Sequence, residues 1–189
     1  MPGFGGKLNI HDFLDRSTVN GPGVRSVLWV QGCPLDCPGC FNQDARKFEE
    51  RTLVTPREIL EWIPTDEVEG LTISGGEPFW QAAALVPLAR AVRERGLSVM
   101  IYSGFTREKL ESGPPEWRAL VHEADILVDG PYSPFAVQNH RWAGSGNQTV
   151  HHLTDRYTPA ADGGATGEVE IVIDQEGTIT VTGFPEGVI

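Results

Sequence analysis

The chain has 189 residues, 40% of them hydrophobic, a length that builds one domain with its own core. Its 26 acidic against 15 basic residues leave a formal charge of −11, a field that repels phosphate backbones and, with no Lys or Arg run to offset it, argues against nucleic acid as a partner. No stretch approaches the ~20 apolar residues of a membrane span, and Met1-Pro2-Gly3-Phe4 lacks the charged and apolar regions of a secretory signal, so a cytoplasmic protein with no membrane partner is expected.

Residues 7–14 alternate apolar and polar and predict a first strand. After the turn cluster Asn20-Gly21-Pro22-Gly23, Val24 to Gln31 form a second, rich in β-branched and aromatic residues. That strand runs into Gly32-Cys33-Pro34-Leu35-Asp36-Cys37-Pro38-Gly39-Cys40-Phe41. These are the only three cysteines in the chain, spaced by three residues and then two, on a loop at the C-terminal end of a strand. Soft thiolates so close together in a reducing compartment predict a metal site rather than a disulfide. Two fillings fit. One is a structural Cys3His zinc site, the fourth ligand being His122, His140, His151 or His152. The other is an iron–sulfur cluster with one iron left open.

Thr55-Pro56-Arg57-Glu58 opens a helix to about Ile63. A short strand, Gly70 to Ser74, stops at Gly75-Gly76-Glu77-Pro78, and a helix follows with Leu85, Leu88, Ala89 and Val92 on one face and Pro87 implying a kink or a late start. Gly96 caps it before a strand over 97–102. A helix begins at Thr106, another runs from Pro115 through Trp117 to His122, and strands cover 125–129 and 149–153. This alternation predicts an α/β fold with a mostly parallel sheet or partial barrel over residues 1–154. A linker, 155–167, leads to a C-terminal β-hairpin extension, 168–189, that turns at Asp174-Gln175-Glu176-Gly177.

The cysteine loop with its trailing aromatic resembles the cluster loop of radical S-adenosylmethionine (SAM) enzymes, and Gly75-Gly76-Glu77-Pro78 is similar to their second signature. Gly21-Pro22-Gly23-Val24-Arg25 and Gln31-Gly32-Cys33 resemble the lead-in of glycyl-radical activases; Arg141 to Gln148 resembles a segment in the activases of anaerobic ribonucleotide reductase. Together these matches cover roughly residues 8–153. The resemblance implies a partial (βα)6-type barrel, and a [4Fe–4S] cluster held by Cys33, Cys37 and Cys40. Its open iron would bind SAM and break a C–S bond to give a 5′-deoxyadenosyl radical. It further implies that Glu77 pairs with the ammonium of SAM, that Gly75 and Gly76 let the backbone approach, and that Pro78 sets the exit from the turn. Phe41 would shield the cluster or pack on adenine. By position at strand ends, Ser103 and Asp129 are candidates for the ribose or methionine of SAM, and Asn147 with Gln148 for a late contact or partner docking. The implied partners are a glycyl-radical enzyme as protein substrate and a flavodoxin or ferredoxin-type electron donor. A small-molecule enzyme such as a 7-carboxy-7-deazaguanine synthase shares the cluster loop, and a zinc-stabilised binding module remains the reading from another class. Arg25 is expected to meet a carboxylate near the cofactor or in an acidic loop. His151 and His152 are read as surface or strand residues, and Trp29, Trp62, Trp80, Trp117 and Trp142 as packing. Two features depart from the pattern: the hairpin follows where such activases usually end, and no cysteines exist for a second cluster.

Overall fold

The computed structural model describes residues 6–173 and 177–185. Along the chain, β1 (Leu8–Ser17), β2 (Arg25–Val30), β3 (Thr52–Val54) and α1 (Pro56–Trp62) come first. They are followed by β4 (Gly70–Gly75), α2 (Ala82–Glu94), β5 (Ser98–Tyr102), α3 (Arg107–Glu111), α4 (Pro115–His122), β6 (Ile126–Asp129) and β7 (Thr149–His152). The strands β8 (Val169–Ile173) and β9 (Ile179–Gly183) close the described chain. A seven-stranded sheet runs in the order β3-β1-β2-β4-β5-β6-β7. Its four central strands, β2 to β6, are parallel, while β1, β3 and β7 flank them antiparallel to their neighbours. The class is therefore α/β with a parallel centre and a separate antiparallel pair, β8–β9.

Local chemistry explains most boundaries. Thr55 caps α1 by accepting from Glu58 N, and Glu58 Oε2 accepts from Thr55 N at 2.7 Å, a reciprocal capping box with Pro56 in the first turn. Pro78–Gln81 form a 3-10 turn, so α2 starts late, at Ala82, and Pro87 lies within it. The first strand outruns its predicted end at residue 14, because an irregular step in register between Leu14 and Ser17 lets it follow β2 down to Arg25. The predicted linker is not featureless: Pro159–Asp162 make a 3-10 turn whose Asp162 bonds His140 at 3.1 Å and His152 at 3.0 Å. Of the expected hairpin turn, Asp174, Gln175 and Glu176 lie outside the described residues.

Side chains alternate across the sheet, so each central strand buries two faces. Leu28, Ile73, Ile101 and Leu127 face Leu85, Leu88, Ala89 and Val92 of α2. On the other face, Met100, Tyr102, Ile126 and Val128 pack with Trp142 and Phe184, and Val27 and Trp29 meet Val172 of β8. The C-terminal pair thus covers a face that no helix reaches.

Arg25 corrects the sequence reading. It is fully buried, and all its bonds go to neutral oxygens: Thr72 Oγ1 and Ser98 Oγ at 2.7 Å, Leu71 O at 2.9 Å, and Pro22 O and Ser98 O at 3.4 Å. Ser98 begins β5, and Gly70, which pairs with Arg25, begins β4. The guanidinium therefore clamps the end of the parallel strands opposite the cysteines. Burial pulls its pKa below the usual value. Arg25→Ala would leave several buried acceptors unmatched beside a cavity, and its urea unfolding midpoint should report a loss of about 3 kcal/mol or more. Arg25→Lys, with no fork to span both strands, should recover little of that loss.

Candidate functional site

The four parallel strands end on one rim, and the loops leaving them form a cleft. Cys33, Cys37 and Cys40 all line it, with Gly75 at the end of β4, Gly76 and Glu77 just beyond it, and Ser103 and Gly104 after β5. The cysteine loop is held at its base. Gly32 N donates to Ala45 O at 2.7 Å, Cys33 N to Arg46 O at 3.1 Å, and the side chain of Gln31 donates to Asp44 O and Lys47 O at 3.1 and 2.7 Å. Cys40 N reaches back to Cys37 O at 3.3 Å, making the tight turn that presents the last two thiols.

This base rests directly on the Gly75-Gly76-Glu77-Pro78 turn. Glu77 N donates to Gly32 O at 2.9 Å and Gly76 N to Val30 O at 2.7 Å. A Cβ at position 76 would stand 2.3 Å from Gly32 O and 2.7 Å from Ala45 O, so the approach exists because residue 76 has no side chain.

Glu77 is fully buried. Its Oε1 accepts from Phe79 N and Ser103 Oγ, both at 3.0 Å, and its Oε2 from Gly104 N at 2.9 Å. One carboxylate thus caps the 3-10 turn and ties the end of β4 to the end of β5. Burial pushes its pKa up to about 7, against those hydrogen bonds. The Cys33 thiol is raised to about 12 and the Cys40 thiol also upward, both mainly by burial, so proton release accompanies thiolate ligation there.

Of the other predicted residues, Phe41 lies at the cleft with its ring centroid 4.8 Å from Tyr132 and 5.8 Å from Phe184, and Ser103 lines the wall. Asp129 and Asn147 do not reach it. Asp129 spends its oxygens on Arg107 N and on His151 Nε2, 2.9 Å away, and the Asn147 amide donates to Pro131 O at 2.6 Å. Both hold loops at strand ends; Gln148, next to Asn147, is the one in the wall, accepting from Gly144 N at 2.9 Å. Tyr102, Tyr132 and Phe184 also line the cleft and were not singled out from the sequence. Tyr102 is the last residue of a predicted strand and Tyr132 lies three residues past the end of another, the only local signal they carried, whereas Phe184 arrives from more than 140 residues beyond the cysteines with none.

The donor set fits a cluster better than a zinc ion. None of His122, His140, His151 and His152 lines the cleft. A [4Fe–4S] cube instead takes each thiolate on its own iron, and three thiols leave the fourth iron open. Tyr102 lines the same wall, and its buried hydroxyl has no hydrogen-bond partner among the described residues.

Comparison with known proteins agrees. The family described as "4Fe-4S single cluster domain" matches residues 19–151. An anaerobic ribonucleoside-triphosphate reductase-activating protein of Vibrio cholerae is 31% identical over 158 residues, spanning 78% of this chain and 99% of that protein. The protein of that name from Escherichia coli K12 is 28% identical, over 77% and 99% of the two chains, and that of Enterobacteria phage T4 is 30% identical, over 72% and 89%. Among solved structures, QueE from Escherichia coli aligns over 53% of each chain at 20% identity with a TM-score of 0.38, too low to carry an argument.

Two outcomes follow from this geometry. Gly76→Ala forces the cysteine loop off its seat, so after anaerobic reconstitution it should hold well under half the wild-type iron and sulfide, and it should unfold about 1–3 kcal/mol more easily. For Glu77, the folded pKa near 7 exceeds the ordinary 4.5, so protonation favours the folded state. That contribution is complete below pH 4.5 and is lost as pH rises through 7. In cluster-free protein, the stability of wild type relative to Glu77→Gln should fall by about 3 kcal/mol across that window and flatten above it, as followed by thermal melts.

Proposed function

The chain belongs to the 4Fe-4S single cluster domain family and groups with the anaerobic ribonucleoside-triphosphate reductase-activating proteins, and we propose that it is a radical SAM enzyme that activates an anaerobic ribonucleotide reductase by taking a hydrogen atom from a glycine of that partner. The observation that carries the reading is the meeting of three thiols with the buried Glu77 turn on one rim of the parallel sheet. Cys33, Cys37 and Cys40 hold the cluster in this reading. Held there, such a cluster would supply the single electron needed for reductive cleavage of SAM to methionine and a 5′-deoxyadenosyl radical, and transfer of the partner's glycine hydrogen to that radical would leave 5′-deoxyadenosine.

The residues of the chain position and shield. Glu77 already accepts three hydrogen bonds, and an ammonium beside it would favour its ionised form, lowering a pKa that burial has raised. Gly75 and Gly76 let the turn pack on the backbone of Val30 and Gly32 rather than opening room for a ligand, Pro78 directs the chain into the 3-10 turn, and Ser103 fixes the carboxylate of Glu77. Phe41, Tyr102, Tyr132 and Phe184 wall the cleft against water, which would otherwise quench a carbon radical. Asp129 and Asn147 have structural roles in this reading, holding loops rather than cofactor.

We take residues 1–154 as the catalytic unit, in the manner of a partial (βα)6 barrel, with 155–167 as linker and 168–189 as its extension. No helix among the described residues is long and apolar enough to cross a membrane; a cytoplasmic setting, with a flavodoxin or ferredoxin-type donor supplying the electron, completes the proposal. Anaerobic protein reconstituted with iron and sulfide, reduced, and mixed with SAM and the reductase should give 5′-deoxyadenosine and a glycine-centred doublet in electron paramagnetic resonance. Cys37→Ala should lower both by at least a hundredfold while remaining folded by circular dichroism. A colourless protein carrying one zinc, or an intact cluster that never yields the doublet, would overturn the reading.

A further inference from the structure

The C-terminal ribbon has two unlike faces. Inward, Val172 packs on Leu14, Val27 and Trp29, Thr182 meets the Asn20 side chain at 2.9 Å, and Glu170 accepts from Thr18 N at 3.3 Å. Outward, Val169, Ile171 and Ile173 of β8 lie across from Val181 and Ile179 of β9, in a register that pairs Ile171 with Val181 and Ile173 with Ile179. These five aliphatic side chains are 43–64% exposed. Five large β-branched groups side by side on solvent make a contiguous apolar patch, a feature that often marks an interaction site.

Two observations say what covers it. The first is charge. From Tyr157 to Ile189 the chain carries six Asp or Glu, one of them, Glu168, paired with Arg141, and no Lys or Arg of its own, within a protein of net charge −11. A second copy would set acidic segments against each other, and an acidic electron carrier would meet the same repulsion, whereas a partner whose apolar spot is bordered by basic residues is attracted. The second is continuity with the cleft. Strand β9 leads directly into Phe184, whose ring centroid is 5.8 Å from both Phe41 and Tyr102 and which lines the cleft beside the cysteines. Across the mouth, the loop that supplies Tyr132 and Gly144 to the same cleft exposes Phe135 and Val137 at 90% and 88%. A protein seated on the ribbon is therefore held at the edge of the radical source, where the radical acceptor has to be.

Resting on the activase reading, we propose that the outer face of the β8–β9 ribbon is the docking surface for the glycyl-radical enzyme, gripping an apolar patch rimmed with Lys or Arg on that partner. Such a surface acts on encounter and grip rather than on the chemistry, so its loss appears in the concentration of partner needed.

The test replaces Ile171, Ile173 and Ile179 by Thr, singly and together, since Thr keeps the β-branched shape while removing apolar surface. Binding of each variant to the anaerobic reductase from the same organism is measured by sedimentation velocity, and activation by the glycyl-radical signal against reductase concentration. In the triple variant the half-saturating reductase concentration should rise tenfold or more, and wild-type binding should weaken with added salt. Release of 5′-deoxyadenosine from SAM under dithionite, with no reductase present, should be retained, and thermal melts should confirm the fold. A triple variant that binds the reductase as tightly as wild type overturns the docking proposal. So does a wild-type dimer that the triple variant dissolves without any change in reductase binding, because the occupant is then a second copy. The activase reading is judged separately, on whether wild-type protein that cleaves SAM leaves a radical on the reductase at all.

Discussion

Two backbones touch in this protein where side chains would normally keep them apart. The base of the cysteine loop lies on the turn after β4 because Gly76 presents only hydrogen to Gly32 O and Ala45 O, and the contact is sealed by the bond from Glu77 N to Gly32 O. The remaining geometry of the site depends on that seat. The seat sets the height of the thiols above the sheet, and it places Glu77 where one carboxylate reaches both Phe79 N and the β5 loop. A loop carrying three cysteines is otherwise a flexible segment; bonded at its base to β2, the turn and its own far end, it becomes a preorganised half of a cofactor site.

Two fully buried charged side chains, Arg25 and Glu77, sit at opposite ends of the same parallel strands and do opposite work. Arg25 has its hydrogen bonds supplied by neutral oxygens of the fold, and it stabilises the end remote from chemistry. Glu77 is held by three donors but remains costly to ionise, because burial strips its carboxylate of water. Ligand binding can relieve that cost, whereas nothing needs to relieve Arg25. Loading of the site and stability of the fold are coupled through one group and independent of the other.

The C-terminal ribbon joins fold and function in a further way. The helices cover one face of the sheet; the second face, with Met100, Tyr102, Val27 and Trp29, would be open without Val172, Phe184 and the Trp142 loop. Completing that layer brings Phe184 into the cleft wall and leaves the outer side of the ribbon apolar. The extension is thus part of the core on one side and an exposed apolar face on the other.

From the sequence alone, local signals identified the parts: the spacing of the cysteines, the Gly-Gly-Glu-Pro turn, the capping box at Thr55 and the alternating strand patterns each depend on residues a few positions apart. They placed nearly every strand and helix and named the thiols and Glu77. Position at a strand end was a weaker guide, because it fixes which rim a residue occupies but not where its side chain turns: Ser103 faces Glu77, while Asp129 turns to Arg107 N and His151. Arg25 was misread for a related reason, since its partners lie on β4 and β5 and no carboxylate near it in sequence takes part. What only the tertiary structure decided are the contacts between segments far apart in the chain, Gly76 under Gly32 and Phe184 beside Phe41. Such pairings arise from strand order and packing, and no periodicity within either segment encodes them.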